Sequence, residues 1–220
     1  MVVHGSPRVM KKSIIALIYD LDGTLIDSRR DLCIATIVML THFGLPPKNE
    51  EELKNYIGRG VKNLVIRALD GNEALYAEGF DILRGHYARH LTENTTLYQG
   101  VVEILEHFKH KKQFVLSNKL DEETKMIIHQ LGVARYFTDV VGDTEGVPIK
   151  PDPAKLLAIL DKHGIRRQEA VMVGDSAIDI ETGYNAGVTT VFIKGGFGKI
   201  GDIKPDIVVD RIVDLRDYFT

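Results

Sequence analysis

The chain has 220 residues, 44% of them apolar, which suffices for one well-buried core plus a smaller unit and excludes a disordered chain. Twenty-eight basic against 31 acidic residues leave a net charge of −3 with no basic stripe, so neither nucleic acid nor an anionic membrane is expected as partner and a small ligand fits better. No apolar run approaches the roughly 18 residues of a membrane span, and the single cysteine, Cys33, cannot form an internal disulfide, which suits a cytoplasmic location.

Residues 1–12 are expected to be a loose tail without the apolar stretch of a secretion signal. Ile14 to Ile18 reads as a first strand that runs into Tyr19-Asp20-Leu21-Asp22-Gly23-Thr24. Strand alternation would turn Asp20 and Asp22 the same way, and two like charges so placed require a cation between them. Ser28 reads as the N-cap of a helix with Leu32, Ala35, Met39, Leu40 and Phe43 on one stripe, ended by Gly44. From Asn49 to about Asn94 the pattern stays helical, with Asn49 and Glu52 as a capping pair, then helices near 61–69 and 74–91. After Tyr98 the texture alternates: helix 101–109, strand 113–116, helix 122–131, strand 139–141, helix 153–163, strand 170–173, helix 177–186, strand 189–193, strand 207–209 and a last helix. Such alternation predicts right-handed crossovers and a parallel sheet. The gap between the first two strands far exceeds a normal crossover. Residues 28–95 are therefore expected to form an inserted helical domain, with linkers near 25–27 and 94–96, and residues 13–27 with 96–220 an α/β core. Nothing in the pattern specifies an oligomeric state.

In open α/β sheets ligands bind beyond the carboxyl ends of the strands. Those ends deliver Asp20, Asp22 and Thr24 from the first strand, Ser117 and Asn118 from QFVLSNK, Lys150 from VPIKPDP, and Asp175 with Asp179 from AVMVGDSAID. Carboxylates clustered without His or Cys prefer a hard cation, and Mg²⁺ fits. For Asp20 and Asp175 to share it, the first and fourth core strands must be neighbours. A site with a divalent cation, a lysine and a hydroxyl suits a phosphate, and a carboxylate left facing phosphorus could attack it.

In this order, Asp20-Leu21-Asp22-Gly23-Thr24-Leu25, Ser117, Lys150-Pro151 and Gly174-Asp175-Ser176 with Asp179 resemble the four motifs of the haloacid dehalogenase superfamily. The stretches IDSRRDLCIAT, YIGRGVKNLV, LYQGVVEIL, SNKLDEET and KPDPAKLLAIL are most similar to its phosphoglycolate phosphatase branch, with one departure, Leu120, where that branch usually has proline. The resemblance implies an α/β fold with a Rossmann-like parallel sheet of order 5-4-1-2-3 flanked by helices, and an all-helical cap inserted over residues 28–95. It also implies a Mg²⁺-dependent phosphatase acting on a small phosphomonoester, 2-phosphoglycolate foremost, through an aspartyl-phosphate.

By the same resemblance Asp20 is the nucleophile, with its other oxygen on the metal. Asp22 is the general acid and base, its backbone carbonyl also on the metal, and Lys150 neutralises charge beside Asp20. Thr24, Ser117 and Asn118 hold phosphoryl oxygens, and Asp175 binds Mg²⁺, with Asp179 as ligand or as orienter of its waters. Asp22 is retained by phosphatases and phosphomutases of this superfamily, so the nearest alternative is a phosphomutase resembling β-phosphoglucomutase. A non-catalytic binding protein on this fold would be expected to have lost a motif acid.

Other signals carry less. Gly196 to Gly201 matches G-x-G-x-x-G, but without a following helix it reads as a loop and not a dinucleotide site. His86 and His90 lack a third zinc ligand, Cys33 reads as packing, and Glu50-Glu51-Glu52 as an acidic first turn. Arg59 and Lys62, in YIGRGVK, read either as solvent-facing charges or as a loop that meets the leaving group, and the resemblance favours Arg59 as a substrate contact.

Overall fold

In the computed structural model, which describes residues 12–220, the chain starts with strand β1 (Ala16–Tyr19) and a two-residue strand β2 (Ile26–Asp27). It then passes through helices α1 (Arg29–His42), α2 (Glu50–Leu53), α3 (Val61–Ala68) and α4 (Tyr76–Tyr87) to a second two-residue strand, β3 (Thr96–Leu97). From there helices and strands alternate: α5 (Val101–His107), β4 (Lys112–Leu120), α6 (Asp121–Gln130), β5 (Asp139–Asp143), α7 (Ala154–Lys162), β6 (Ala170–Gly174), α8 (Ala177–Ala186), β7 (Thr189–Ile193) and β8 (Ile207–Val209). The expected tail, residues 1–12, lies outside the described residues except for Lys12.

The main sheet has the order β5-β4-β1-β6-β7-β8, and every pairing in it is parallel. Counting β1, β4, β5, β6 and β7 as core strands one to five, this contains the expected order 5-4-1-2-3. It differs in that β8 adds a sixth strand beyond β7. Parallel sheets are covered on both faces, which is why β1 and β6 read as unbroken apolar runs and are buried throughout. Leu17, Tyr19, Val115 and Val173 face one cluster, shared with Ile104 and Ile127. Ile18, Phe114, Leu116 and Met172 face the other, with Leu156 and Ile159. Buried side chains of this size stabilise by roughly 1.5–3 kcal/mol each. A polar pair in the sheet interior is satisfied: the Tyr19 hydroxyl donates to Gln113 Oε1 at 3.2 Å, and Gln113 Nε2 donates to the Leu105 carbonyl at 3.0 Å.

Register decides where the chemistry lands. Tyr19 pairs with Val115 on one side and Val173 on the other, so the carboxyl ends of β1, β4 and β6 lie level. Asp20 and Asp22 fall past the end of β1, in a turn that closes on the Leu21 carbonyl, which accepts from the amides of Thr24, Leu25 and Ile26. Where their side chains point is thus set by this turn rather than by strand alternation, and the two carboxylates take different partners, Lys150 for Asp20 and Lys119 for Asp22.

Between the linkers the chain is helical, and its apolar faces, including Leu32, Met39, Leu64 and Leu83, join the cluster that covers one face of the sheet. The linkers pair with each other, Ile26 with Leu97 and Asp27 with Thr96, as an antiparallel ribbon. Buried Asp31, in the first turn of α1, fastens the return linker by accepting from the backbone amides and side chains of both Asn94 and Thr95 at 2.7–3.1 Å. Asn49 caps α2 through Glu52 N at 2.9 Å. Ser28 occupies the N-cap position of α1 but makes no capping bond; its hydroxyl donates to Asp22 instead. The last helix is a 3₁₀ turn, Ile212–Asp217. Among the described residues no helix is long and apolar enough to cross a membrane.

Candidate active site

Three carboxylates meet at the carboxyl edge of the sheet. One oxygen from each of Asp20, Asp175 and Asp179 lies within 4.8 Å of the others, and all three side chains are buried. Each is held separately. Asp175 follows β6, and its Oδ2 accepts from the backbone amides of Phe197 at 3.0 Å and Gly198 at 2.7 Å, while Oδ1 accepts from the Thr24 hydroxyl at 3.3 Å. Asp179 sits in the first turn of α8, where its Oδ2 accepts from Ser176 N at 3.1 Å and Oγ at 2.6 Å in a reciprocal capping box. Lys150 Nζ bridges the group, donating to Asp20 Oδ1 at 2.6 Å and Asp179 Oδ1 at 2.7 Å. Asp20 Oδ2 has no hydrogen-bond partner among the described residues.

The charges do not balance: three buried acids face one lysine. Burial first, then the Asp179 charge, push the Asp20 carboxyl well above its ordinary range, against the pull of Lys150. Burial and Asp179 push Asp175 up to about 7, opposed by the amide of Gly198 and the hydroxyl of Thr24. Burial pulls the Lys150 ammonium toward its neutral form, but Asp179 and Asp20 outweigh it and hold it charged. A cluster of oxygen donors short of positive charge is a fit for a hard divalent cation.

Asp22 lies apart from this triad. Its carboxylate accepts from the Ser28 hydroxyl and pairs with Lys119 Nζ at 3.3 Å, and its backbone carbonyl accepts no hydrogen bond among the described residues. Asp20, Asp22 and Ser117 line one small cavity of about 40 Å³ between the sheet edge and the helical segment, whose far wall is built by Ile57, Val61 and Tyr87 among others. The Ser117 oxygen accepts from Lys119 N at 3.1 Å, leaving its proton free to donate.

Three residues sit differently from expectation. Thr24 is turned onto Asp175 and does not line this cavity. Asn118 lines it, but its amide is fully engaged: Nδ2 donates to the carbonyls of Gly58 and Lys150, both at 3.0 Å, and Oδ1 accepts from Lys150 N at 2.8 Å. It braces the Lys150 segment against the Gly58 loop and has no donor left for a phosphate. Arg59 is exposed and does not line the cavity, because Gly58 and Gly60, with φ of 98° and 81°, turn the backbone inward and the intervening side chain outward.

Sequence reasoning passed over two elements. The Gly196 loop, read as merely flexible, supplies the two amides that hold Asp175. A Cβ at Gly196 would come within 2.3 Å of Asp175 Oδ2, so only glycine allows this approach. Lys119, quoted only as part of SNK, is buried beside Asp22 and donates to the Tyr87 hydroxyl at 2.8 Å.

A family model described as haloacid dehalogenase-like hydrolase matches residues 17–193. Phosphoglycolate phosphatase of Chromobacterium violaceum is 33% identical over 214 residues, covering 94% of this chain and 96% of its own. That of Aquifex aeolicus is 36% identical over 202 residues, covering 90% and 93%. The crystal structure of a predicted phosphoglycolate phosphatase from Haemophilus somnus superposes with a TM-score of 0.88 at 28% identity, covering 92% of this chain and 96% of that one. The chain belongs to the haloacid dehalogenase-like hydrolase family, as one of its phosphatases.

Proposed function

We propose that this phosphatase hydrolyses a small phosphomonoester, with 2-phosphoglycolate as the leading candidate, through an aspartyl-phosphate on Asp20 and with Mg²⁺ as cofactor. The observation that carries the reading is the division of labour between two acids on one cavity: Asp20 is pinned by Lys150 through one oxygen with the other unpartnered, and Asp22 lies outside the carboxylate cluster. The free oxygen of Asp20 attacks phosphorus, forming an O–P bond as the ester O–P bond breaks, and Asp22 gives its proton to the departing alkoxide. Asp22 then takes a proton from water as that oxygen attacks phosphorus. The aspartyl O–P bond breaks, phosphate leaves and Asp20 is restored. Ser117 donates to a phosphoryl oxygen, and Lys150 holds Asp20 in line.

Asp20, Asp175 and Asp179, with the Asp22 carbonyl, are the groups that would hold Mg²⁺, and when bound it supplies the positive charge the phosphoryl oxygens and the acids both lack. The names of the relatives point to 2-phosphoglycolate, and the cavity of about 40 Å³ favours a compact leaving group. Residues 28–95 act as a cap whose opening admits substrate and whose closure excludes water. Cys33, a lone buried thiol, accords with a cytoplasmic enzyme.

The test is phosphate release from a panel of phosphomonoesters with Mg²⁺ and with EDTA. Mg²⁺-dependent release with 2-phosphoglycolate preferred supports the reading. A persistent phospho-enzyme with little net phosphate would replace it with a phosphomutase.

A further inference from the structure

The cavity wall beside Ser117 holds a cation that the mechanism above leaves unused. Lys119, the penultimate residue of β4, stands beside Asp22, and its side chain is only 5% exposed. Its ammonium spends one N–H on the Tyr87 hydroxyl at 2.8 Å and lies over that ring, 4.5 Å from the centroid. Asp22 Oδ1 stands at 3.3 Å, a charge contact longer than a strong ammonium–carboxylate bond. With three N–H groups on an ammonium, at least one remains for a ligand. The Tyr87 hydroxyl accepts from Lys119 and has no acceptor for its own proton among the described residues. Both side chains line the cavity. Lys119 comes from the sheet and Tyr87 from α4.

This juxtaposition has a position relative to the chemistry. The leaving oxygen must come within hydrogen-bond distance of Asp22, which protonates it, so a group one carbon from that oxygen is within reach of Lys119 Nζ. We propose that Lys119 Nζ and Tyr87 Oη form a carboxylate-binding subsite that selects phosphomonoesters whose leaving alcohol bears a carboxylate next to the ester carbon. The inference rests on the phosphatase reading above and supplies the residues that give it specificity. Glu123 shares the same wall as a competing acid: burial raises its carboxyl toward the neutral form, while Lys119 and Arg84 draw it the other way. Because half the subsite belongs to the sheet and half to the helical segment, it is complete only when the two are in contact.

The experiment compares kcat/KM for 2-phosphoglycolate with that for ethyl phosphate, which replaces the carboxylate by a methyl group, in the wild type, Lys119→Met, Lys119→Arg and Tyr87→Phe. The wild type is expected to prefer 2-phosphoglycolate. Lys119→Met should collapse the preference roughly 100-fold, chiefly through KM, with Lys119→Arg recovering part of it. Tyr87→Phe, which deletes one oxygen and keeps the packing, should narrow the preference several-fold and decides the matter should the Lys119 variants fail to fold. A parallel loss on both esters in every variant would mean that Lys119 only positions Asp22, and would overturn the subsite. A wild type that hydrolyses both esters equally well would also overturn it while leaving the phosphatase reading intact. A folded wild type inactive on all phosphomonoesters would bring down both.

Discussion

Replacing Lys150 by methionine isolates the charge problem at the centre of the site. Its ammonium donates to Asp20 at 2.6 Å and Asp179 at 2.7 Å at a buried position, and the substitution keeps the apolar stem while deleting both bonds. Breaking a buried ion pair by removing one partner costs about 3–5 kcal/mol, because the other charge stays behind unpaired. For a chain of this size each kcal/mol lowers the melting temperature by about 2–4 °C, so the variant should melt roughly 6–20 °C below the wild type in EDTA. The pH dependence gives a second handle. Lys150 itself is held charged, so its own contribution is present throughout the range below the ordinary lysine pKa and does not change between pH 5 and 8. Asp20 is already raised above its unfolded value, with Lys150 pulling it back down; without the lysine it rises further. An acid with a raised folded pKa binds more protons when native, so stability falls as pH rises through that value. The gap between variant and wild type should therefore widen from pH 5 to pH 8, followed by thermal melts in EDTA. A variant melting within about 2 °C of the wild type at pH 8, or a gap that narrows with pH, would refute the account of the site as a cluster of acids restrained by one cation.

Asp20→Asn should lower turnover by about 10³-fold or more without lowering the melting temperature, since it removes the proposed nucleophile and one of three mutually repelling charges; activity near wild type in the purified variant excludes Asp20 as the attacking group. Mg²⁺ at about 100 times its dissociation constant should stabilise EDTA-treated protein by about 2.7 kcal/mol, read as a rise in melting temperature, and no rise at any concentration would remove the metal from the triad. Asp31→Asn should cost about 1.5–3 kcal/mol, because an amide cannot accept all the bonds from Asn94 and Thr95. Burial pushes the Asp31 carboxyl up, but the bonds from Asn94 and Thr95 outweigh it and hold it below the ordinary range. Its contribution is thus full above the unfolded pKa and lost as pH falls through the folded one, and urea melts from pH 6 down to pH 2.5 should show variant and wild type converging. Gly196→Ala should weaken metal activation by at least about tenfold with circular dichroism unchanged, because its Cβ would collide with Asp175 Oδ2 at 2.3 Å, and unchanged activation would show that the loop does not position Asp175.

What could be read from the chain beforehand divides along a physical line. Asp20, Asp175, Lys150 and Asp179 were legible because a parallel sheet delivers strand ends to one edge, so residue type plus strand order sufficed to bring them together. Where a side chain turns after the strand ends is set by loop backbone and long-range partners, which local pattern does not encode. Asn118 spends its amide on Gly58 and Lys150, Thr24 on Asp175, and Arg59 is turned out by the glycines on either side. Ser28 has the residue type of a helix cap and serves Asp22 instead. Lys119 left no local trace, since its partner Tyr87 stands on a helix in a different part of the chain and the contact exists only once the helical segment packs on the sheet. The sixth strand was visible as a segment, but its place beyond β7 follows from pairing that local pattern does not encode.

The antiparallel pairing of the two linkers has an architectural consequence. Ile26 lies opposite Leu97 and Asp27 opposite Thr96, at the spacing of neighbouring strands, about 5 Å. A ribbon of that kind is ordinarily closed by a turn of two residues, and here residues 28–95 stand where that turn would be. The sheet consequently meets the same boundary whatever fills the gap. The chain leaves and re-enters at one spot, no sheet strand has to shift to admit the insertion, and the register that levels Asp20 with Asp175 is independent of its length. Residues in the inserted segment can therefore change, one at a time or wholesale, without disturbing the placement of the carboxylates at the sheet edge.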